Sequence, residues 1–321
     1  MIQRYDFAPL DGITKVVFRQ VWHRRFGGAD RYFIPFFSPT DQHIVTKRDQ
    51  RELDAANNPG LPLVPQIMTR RADDFLWAAS LMEDLGYREV NLNLGCPSGT
   101  VTAKGKGSGF LARPEELERF FDEVFASVRL PVSVKTRLGV QSPEEFARLL
   151  EIYNRYPIAC LTIHPRVRPE LYKGTVHRDL FAWAVSESRI PLCYNGDLLT
   201  VEDITVVERD FPTVEAVMVG RGALGNPWVF RQINAYLTDS CTLIPPPGAA
   251  ERIVVIKRHI DALCALKGED RALREARKHV GWYLHGLRGA AQFRRRAGEL
   301  CTLADLDQLL AHVYAANQGE G

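Results

Sequence analysis

The sequence predicts an α/β fold: a closed parallel (β/α)8 TIM barrel followed by a small C-terminal helical bundle. Three observations carry this expectation. Eight short apolar runs recur, mostly about 25 to 35 residues apart, with helix-like stretches between them. Most of the runs finish on a polar residue or a glycine. Past residue 241 a proline-rich stretch leads into segments that show helical periodicity only.

The runs are residues 7–9, 32–36, 63–67, 89–93, 131–135, 160–164, 191–195 and 216–220. Between them, residues 72–85, 114–128, 143–155 and 201–209 are periodic and read as helices. An open doubly wound sheet would normally carry a phosphate-binding glycine turn after its first strand. Here that turn reads Ala8-Pro9-Leu10-Asp11-Gly12. Five of the runs end on Asn93, Lys135, His164, Asn195 and Gly220, and a sixth carries Gln66 one residue before its end. In a parallel barrel the carboxyl ends of the strands converge on one mouth, where the chemistry occurs. Six such residues in register are hard to explain by stability alone.

Thr242-Leu243-Ile244-Pro245-Pro246-Pro247-Gly248 reads as a stiff linker, which divides the chain into a barrel of residues 1–241 and a tail of residues 242–321. In the tail Ile253, Ile256, Ile260 and Leu263 recur with helical spacing, as do Leu273, Ala276, Val280 and Leu287, then Leu306, Leu309 and Val313. Arg271, Arg274 and Lys278 fall opposite the second apolar stripe, and Arg294, Arg295 and Arg296 follow.

Composition narrows the class. The chain has 321 residues, 45% hydrophobic and 25% charged, as a globular protein does. No window of about eighteen apolar residues is free of charge, so no membrane span is expected. The N-terminus lacks the apolar stretch of a secretory signal. The cysteines (Cys96, Cys160, Cys193, Cys241, Cys264 and Cys301) are scattered without a C-x-x-C pair, against a disulfide framework and against a metal site. A cytoplasmic location is expected. From Arg252 to Arg296 there are twelve lysines and arginines against four acids, so the rest of the chain is net acidic within an overall +2. A basic segment on an acidic body points to a polyanionic partner or to a solvated helical face, and charge alone weighs the two equally.

The chemistry-bearing residues lie at the run ends. Gly95 and Pro97 fix a tight turn that would hold the Cys96 thiol at the mouth. No histidine and carboxylate stand in a triad arrangement around Cys96, so proton donor is the better role than nucleophile. With an ordinary pKa near ~8.5, a thiol stays largely protonated at neutral pH. Cys160 and Cys193, within apolar runs, read as buried filler. The stretch Lys104-Gly105-Lys106-Gly107-Ser108-Gly109 lacks the spacing of a nucleotide P-loop and reads as a mobile loop over the mouth. Lys135 and Arg137 supply positive charge for an anion that forms during reaction, against the plain reading of rim charge. His164 shares the mouth with them. Asn195-Gly196-Asp197 and Gly220-Arg221-Gly222 follow the seventh and eighth runs, the loops that bind phosphate in such barrels. Arg221 adds a fork-like charge there.

In order and spacing, these motifs resemble the tRNA-dihydrouridine synthase family over nearly the whole chain. The carrying residues are Ala8-Pro9-Leu10-Asp11-Gly12-Ile13-Thr14 with Phe18-Arg19, then Gln66, Asn93-Leu94-Gly95-Cys96-Pro97, Lys135-Thr136-Arg137, His164-Pro165-Arg166, Asn195-Gly196-Asp197 and the stretch from Gly220 to Phe230. Leu10 replaces the family's usual methionine, a volume-conserving change. Pro165 stands where glycine or alanine is common.

The resemblance implies FMN as cofactor, with NADPH (or NADH) as transient reductant and a tRNA uridine as substrate. Pro9, Leu10 and Asp11 would line the flavin, Gln66 would hydrogen-bond its ring, Lys135 would face its N1/O2 edge and His164 would lie close by. Asn195, Gly196, Asp197, Gly220 and Arg221 would hold the phosphate. Cys96 matches the family's proton donor, and Asn93, Arg137 and Tyr172 match residues that hold the flipped uracil. A uracil in folded RNA is reachable only when splayed from its stack. The tail arginines and Lys278 would grip the tRNA backbone without reading its sequence. A monomer is expected. The competing readings are a flavin barrel acting on a free small molecule and a non-catalytic RNA-binding protein.

Overall fold

The computed structural model describes residues 2–238, 244–245 and 247–318. Cys241, Thr242, Leu243 and Pro246, and with them the expected boundary after residue 241, lie outside the described residues. Eight parallel strands close in sequence order: β1 (Arg4–Phe7), β2 (Arg31–Phe37), β3 (Leu63–Ile67), β4 (Val90–Leu94), β5 (Val132–Gly139), β6 (Leu161–Val167), β7 (Leu192–Tyr194) and β8 (Ala216–Val219). β8 pairs back onto β1, with Asp6 opposite Met218.

Every expected run overlaps a strand, and β3 matches residue for residue. Two groups of boundaries move. β1 starts three residues before its expected run, pairing with β8 from Arg4 onward, and it ends before Pro9, which has no N–H to donate; pairing stops with Ala8 N–H on the Val219 carbonyl at 2.9 Å. β5 and β6 continue past Lys135 and His164, so these two side chains stand within strands rather than at their ends. The extension depends on a register shift between Arg137 and Gly139. Gly139 has no side chain, and a Cβ there would lie 2.7 Å from Glu145 Oε2. That carboxylate instead accepts the backbone N–H groups of Val140, Gln141 and Ser142 at 2.7, 2.9 and 3.0 Å.

Strand side chains alternate between faces. One set, from Ala8, Phe33, Val64, Cys160, Cys193, Ala216 and Met218, forms a single buried apolar cluster. Cys160 and Cys193 are therefore the packing residues expected. On β3, β4 and β5 the interior set is polar: Gln66, Asn91, Asn93 and Ser133 are buried and hydrogen-bonded to one another. The other faces are buried too, as Leu92, Val134, Ile163 and Val217 show. Each such side chain contributes about 1.5–3 kcal/mol on leaving water. The helix Pro114–Ser127 illustrates the covering layer. Pro114 opens it without losing a needed donor, and Leu117, Phe120, Phe121 and Val124 form its buried stripe.

The chain divides into two compact units. The first comprises Met1–Thr14, Ala29–Leu198 and Glu202–Gly220, and the second Lys15–Gly28, Leu199–Val201 and Arg221–Gly321. The helix after β1, Val16–Arg25, thus belongs with the tail: Phe18 lies 5.6 Å from the His259 ring and 5.5 Å from that of His279, centroid to centroid. In the tail, the helices Ala249–Lys267, Glu269–Tyr283 and Leu303–Ala316 bury Ile256, Ile260, Leu263, Leu273, Ala276, Val280, Leu306, Leu309 and Val313. Ile253 is only half-buried. Leu287 falls beyond the second helix, between Gly286 and Gly289, whose φ values of 81° and 80° stop its continuation. Thr302 and Asp305 cap the last helix reciprocally.

Candidate active site

The turn after β4 is built from its own sequence. Asn93 Oδ1 accepts the N–H groups of Gly95 and Cys96 at 3.0 and 2.9 Å. Gly95 packs beside β5, where a Cβ would sit in ordinary contact, 3.6 Å from the Lys135 carbonyl. The Cys96 carbonyl is held by Ser108, through its backbone N–H at 3.1 Å and its hydroxyl at 2.9 Å. Gly107 takes φ 57°, and a Cβ there would lie 2.8 Å from that same carbonyl. The glycine-rich stretch expected as a mobile loop is therefore a brace: Gly107, Ser108 and Gly109 are buried in a short 3-10 helix, Gly107–Ala112. Small residues are needed here for close packing.

Asn93 and Lys135 are register partners on β4 and β5. Burial pushes the Cys96 thiol up from its ordinary pKa, with Asp11 adding to the shift, against opposing pulls from the Ser98 backbone, Arg137 and Lys135. The thiol is thus kept protonated at neutral pH. Lys135 retains a route to solvent but is ringed by protein. Desolvation, with Arg137 nearby, brings its pKa down to about 8. No hydrogen bond or ion pair reaches its ammonium among the described residues. With both lone pairs of its oxygen committed, Asn93 has only an N–H left to offer. Lys135 and Asn93 together present donors to a ligand that must supply acceptors.

Arg137 is buried and works as a clamp. Nε donates to the Gly95 carbonyl at 2.9 Å, Nη1 to Val167 at 3.2 Å and Nη2 to Leu171 at 2.7 Å. Leu171 has φ 52°, a costly conformation for a branched side chain, and Arg137 holds its carbonyl. Burial, as the largest cause, lowers the pKa of Arg137. The exposed Tyr172 ring lies 5.5 Å from the Arg137 guanidinium carbon and 6.0 Å from the His164 ring, near parallel to the latter.

His164 Nε2 is 3.2 Å from Arg166 Nη1, so Nε2 is an acceptor and the proton sits on Nδ1. Arg166, fully buried, grips Asp197 with two bonds, one of 3.0 Å, and also the carbonyls of Lys173 and Gly174. Asp197 carries a left-handed φ of 47°. Its carboxylate faces a cation, so only its backbone is suited to an anion. Asn195 ties β7 to β8 through the Met218 carbonyl at 2.7 Å. A Cβ on Gly196 would press to 3.0 Å on Val176, whereas Gly220 faces Ala8 and Leu10 at 3.5 and 3.9 Å. The Leu10 N–H is held by the Thr14 hydroxyl at 2.9 Å, with half-buried Pro9 before it and exposed Asp11 after it. Gln66 is buried, between Asn91 and Asn93. Arg221 opens the helix Arg221–Gly225 and is described with the second unit.

Three buried residues have contacts that the sequence does not announce: Arg166, quoted within a motif but given no role, and Asn91 and Ser133. Each lies two residues along a strand from one that was picked out, His164, Asn93 and Lys135, so the period of two could have found them.

In the second unit, Arg271, Arg274, Lys278, Arg294 and Arg295 are exposed. Among the described residues, no carboxylate pairs with Arg271, Arg274, Arg294 or Arg295. Arg296 is half-buried and donates to His312 Nδ1 at 2.7 Å. The described residues hold no group of three or more His, Cys, Asp or Glu able to bind a metal, and no described helix is long and apolar enough to cross a membrane.

A tRNA-dihydrouridine synthase B of Pasteurella multocida (strain Pm70) is 31% identical over 293 residues, 91% of this chain and 87% of the relative. One of Serratia marcescens is 33% identical over 293 residues, 90% and 85% of the two chains. A morphinone reductase structure matches with a TM-score of 0.52 at 13% identity, over 77% of this chain and 88% of that one, which shows a shared fold. The model of the dihydrouridine synthase family matches residues 6–318. The chain belongs to the dihydrouridine synthase family.

Proposed function

We propose that this protein reduces a uridine of tRNA to 5,6-dihydrouridine, with FMN in the barrel mouth and NADPH, or NADH, as reductant. The observation that carries the reading is a thiol kept protonated by burial, in the turn after β4, within electrostatic reach of Lys135, an ammonium without a protein partner that stands opposite Asn93 on β5. The relatives bear the same activity in their names.

The residues present fit the cofactor. An unpartnered, desolvated lysine requires an acceptor-rich ligand, and the pyrimidine edge of a flavin ring supplies carbonyl oxygens and a nitrogen that becomes anionic on reduction. When bound, the flavin supplies the electron pair that saturates the uracil C5=C6 bond. Lys135 would face that ring edge and stabilise its negative charge, and Gln66 would hydrogen-bond the ring. Pro9, Leu10 and Asp11 would line one side, with neutral His164 beside it. Asn195, Gly196 and Gly220 would meet the phosphate with backbone N–H groups, as would Asp197, whose carboxylate is engaged by Arg166.

Cys96 would give the proton to C5 of the uracil and recover it from solvent. Asn93 would donate to the base, Arg137 would balance charge on its oxygens, and Tyr172 would offer an aromatic face to the flipped ring. The exposed arginines and Lys278 of the tail would bind tRNA phosphates.

The test uses purified protein, NADPH and unmodified tRNA, with dihydrouridine measured by mass. Cys96→Ala should still bind FMN and accept electrons from NADPH, while product formation falls about 10²- to 10⁴-fold, the usual worth of a positioned acid. Undiminished product would remove Cys96 from its role. A wild-type protein that takes up no flavin would overturn the reading.

A further inference from the structure

A file of side-chain hydrogen bonds crosses the interior of the first unit, from the Cys96 turn to the opposite end of β4. Asn93, with its oxygen committed to Gly95 and Cys96, donates through Nδ2 to Gln66 Oε1 at 2.7 Å. Gln66 Nε2 donates to Asn91 Oδ1 at 2.7 Å. Asn91 Nδ2 donates to Ser133 Oγ at 2.9 Å, and the Ser133 hydroxyl donates to Glu89 Oε1 at 2.6 Å. The file ends on charge: Arg31 Nη1 holds Glu89 Oε2 at 2.7 Å and its other two nitrogens hold Asp6, both at 2.9 Å. Gln66, Asn91 and Ser133 are at most 1% exposed, and the register places Asn91 opposite Gln66 on one side and Ser133 on the other.

An isolated amide can exchange its oxygen and nitrogen by a half-turn at little cost. Here both ends impose the same direction. The backbone N–H groups of Gly95 and Cys96 can only donate, and the Glu89 carboxylate can only accept. Reversal would set N–H against N–H at Asn93 and oxygen against oxygen at Glu89. Within a low-dielectric interior, aligned bonds also polarise one another. Gln66 is therefore gripped on both sides, by Asn93 and by Asn91, and Asn91 is itself oriented by residues remote from the mouth.

We propose that Asn91, anchored through Ser133 on Glu89, is a positioning residue that sets the amide of Gln66 and, through it, the hydrogen bond Gln66 gives the flavin ring. The inference rests on the FMN reading above. Asn91 touches neither ring nor base; it acts by leaving Gln66 one orientation.

The test compares Asn91→Leu, which removes the acceptor at similar volume, with Asn91→Asp, which keeps an acceptor toward Gln66. FMN dissociation constants come from titration of flavin-stripped protein, and bound-flavin absorption spectra from the holoenzyme. The leucine variant should bind FMN about tenfold more weakly, as loss of one buried hydrogen bond implies, and its bound-flavin spectrum should move toward that of free FMN. The aspartate variant keeps the acceptor toward Gln66 but loses the donor to Ser133, so it should weaken FMN binding by about threefold, less than leucine does, and its spectrum should stay closer to that of wild type. The KM for tRNA should be unchanged in both. A purely packing role would lower the melting temperature while leaving the bound-flavin spectrum alone, and that result overturns the proposal. Should the leucine variant fail to fold, Ser133→Ala cuts the file one step further off. About threefold weaker FMN binding is then expected, and unchanged binding overturns the proposal. If wild-type protein binds no FMN, the functional reading falls and this inference with it; if wild type binds and the variants match it, only this inference falls.

Discussion

Replacing Lys135 by methionine should make the protein more stable and less able to hold its cofactor. The ammonium is desolvated and unpartnered, and its pKa is brought down to about 8 from an ordinary lysine value of 10.5. Each pH unit of displacement corresponds to about 1.36 kcal/mol. With allowance for the remaining solvent route, keeping the charge at neutral pH costs about 2–3 kcal/mol in the ligand-free protein. Methionine fills the same space without that cost. At about 2–4 °C per kcal/mol for a domain of this size, ligand-free Lys135→Met should melt about 4–12 °C above wild type at pH 7. FMN affinity should fall about 10- to 100-fold, as for a lost charge-assisted hydrogen bond. The pH dependence has a definite sign. The unfolded chain holds this proton more tightly, so ligand-free wild type should gain stability as pH rises from 8 toward 10, and the variant should lack that gain. Thermal melts across pH, with and without FMN, provide the measurement. A methionine variant no more stable than wild type without cofactor would show that the ammonium is already satisfied, and the case for an acceptor ligand at Lys135 would fail.

Other perturbations follow from particular contacts. Gly107→Ala places a methyl 2.8 Å from the Cys96 carbonyl at a φ of 57°, and should cost at least about 1–2 kcal/mol of stability. Dihydrouridine formation should fall more than FMN binding does, because the displaced group is the Cys96 turn; equal losses would argue against a local effect. Asp197→Asn leaves the buried Arg166 without its counter-charge and should destabilise by about 2–4 kcal/mol in chemical denaturation. A change below about 0.5 kcal/mol would show that the carbonyls of Lys173 and Gly174 suffice for Arg166. Substituting Arg294, Arg295 and Arg296 together by alanine should weaken tRNA binding and reduce the slope of log affinity against log salt by about 1.5–2 rather than the larger drop three phosphate contacts would give, since Arg296 is engaged by His312. An unchanged slope would remove these residues from the RNA contact.

The barrel was legible because its strands are buried on both faces, and short apolar runs at regular spacing have few other uses. β3 was located residue for residue, while the ends of β5 and β6 were not. Their extension depends on a register shift at Gly139 and on the Glu145 carboxylate capping the N–H groups beyond it, contacts that no local pattern announces. Within the site, residue identity was readable and residue contact was not. Arg137 was chosen for its charge, yet three of its bonds go to backbone carbonyls on different segments. Asp197 was grouped with the phosphate ligands from its place beside Gly196, and only the fold shows its carboxylate on Arg166. The glycines of residues 105–109 suggested motion, since sequence records their freedom but not the carbonyl of Cys96 that fills the space a side chain would need. The helix Val16–Arg25 is not among the periodic segments the sequence offers, and its association with helices more than two hundred residues later is a long-range fact, carried by Phe18 against His259 and His279.

That last association constrains how such proteins can be cut and recombined. A fragment ending near residue 241 would shed the histidines that cover Phe18 and leave an aromatic ring facing water on a segment near the N-terminus. The tail is no detachable cassette appended to an independent catalytic body. Grafting it onto a relative would require Lys15–Gly28 to travel as well, together with everything from Arg221 onward.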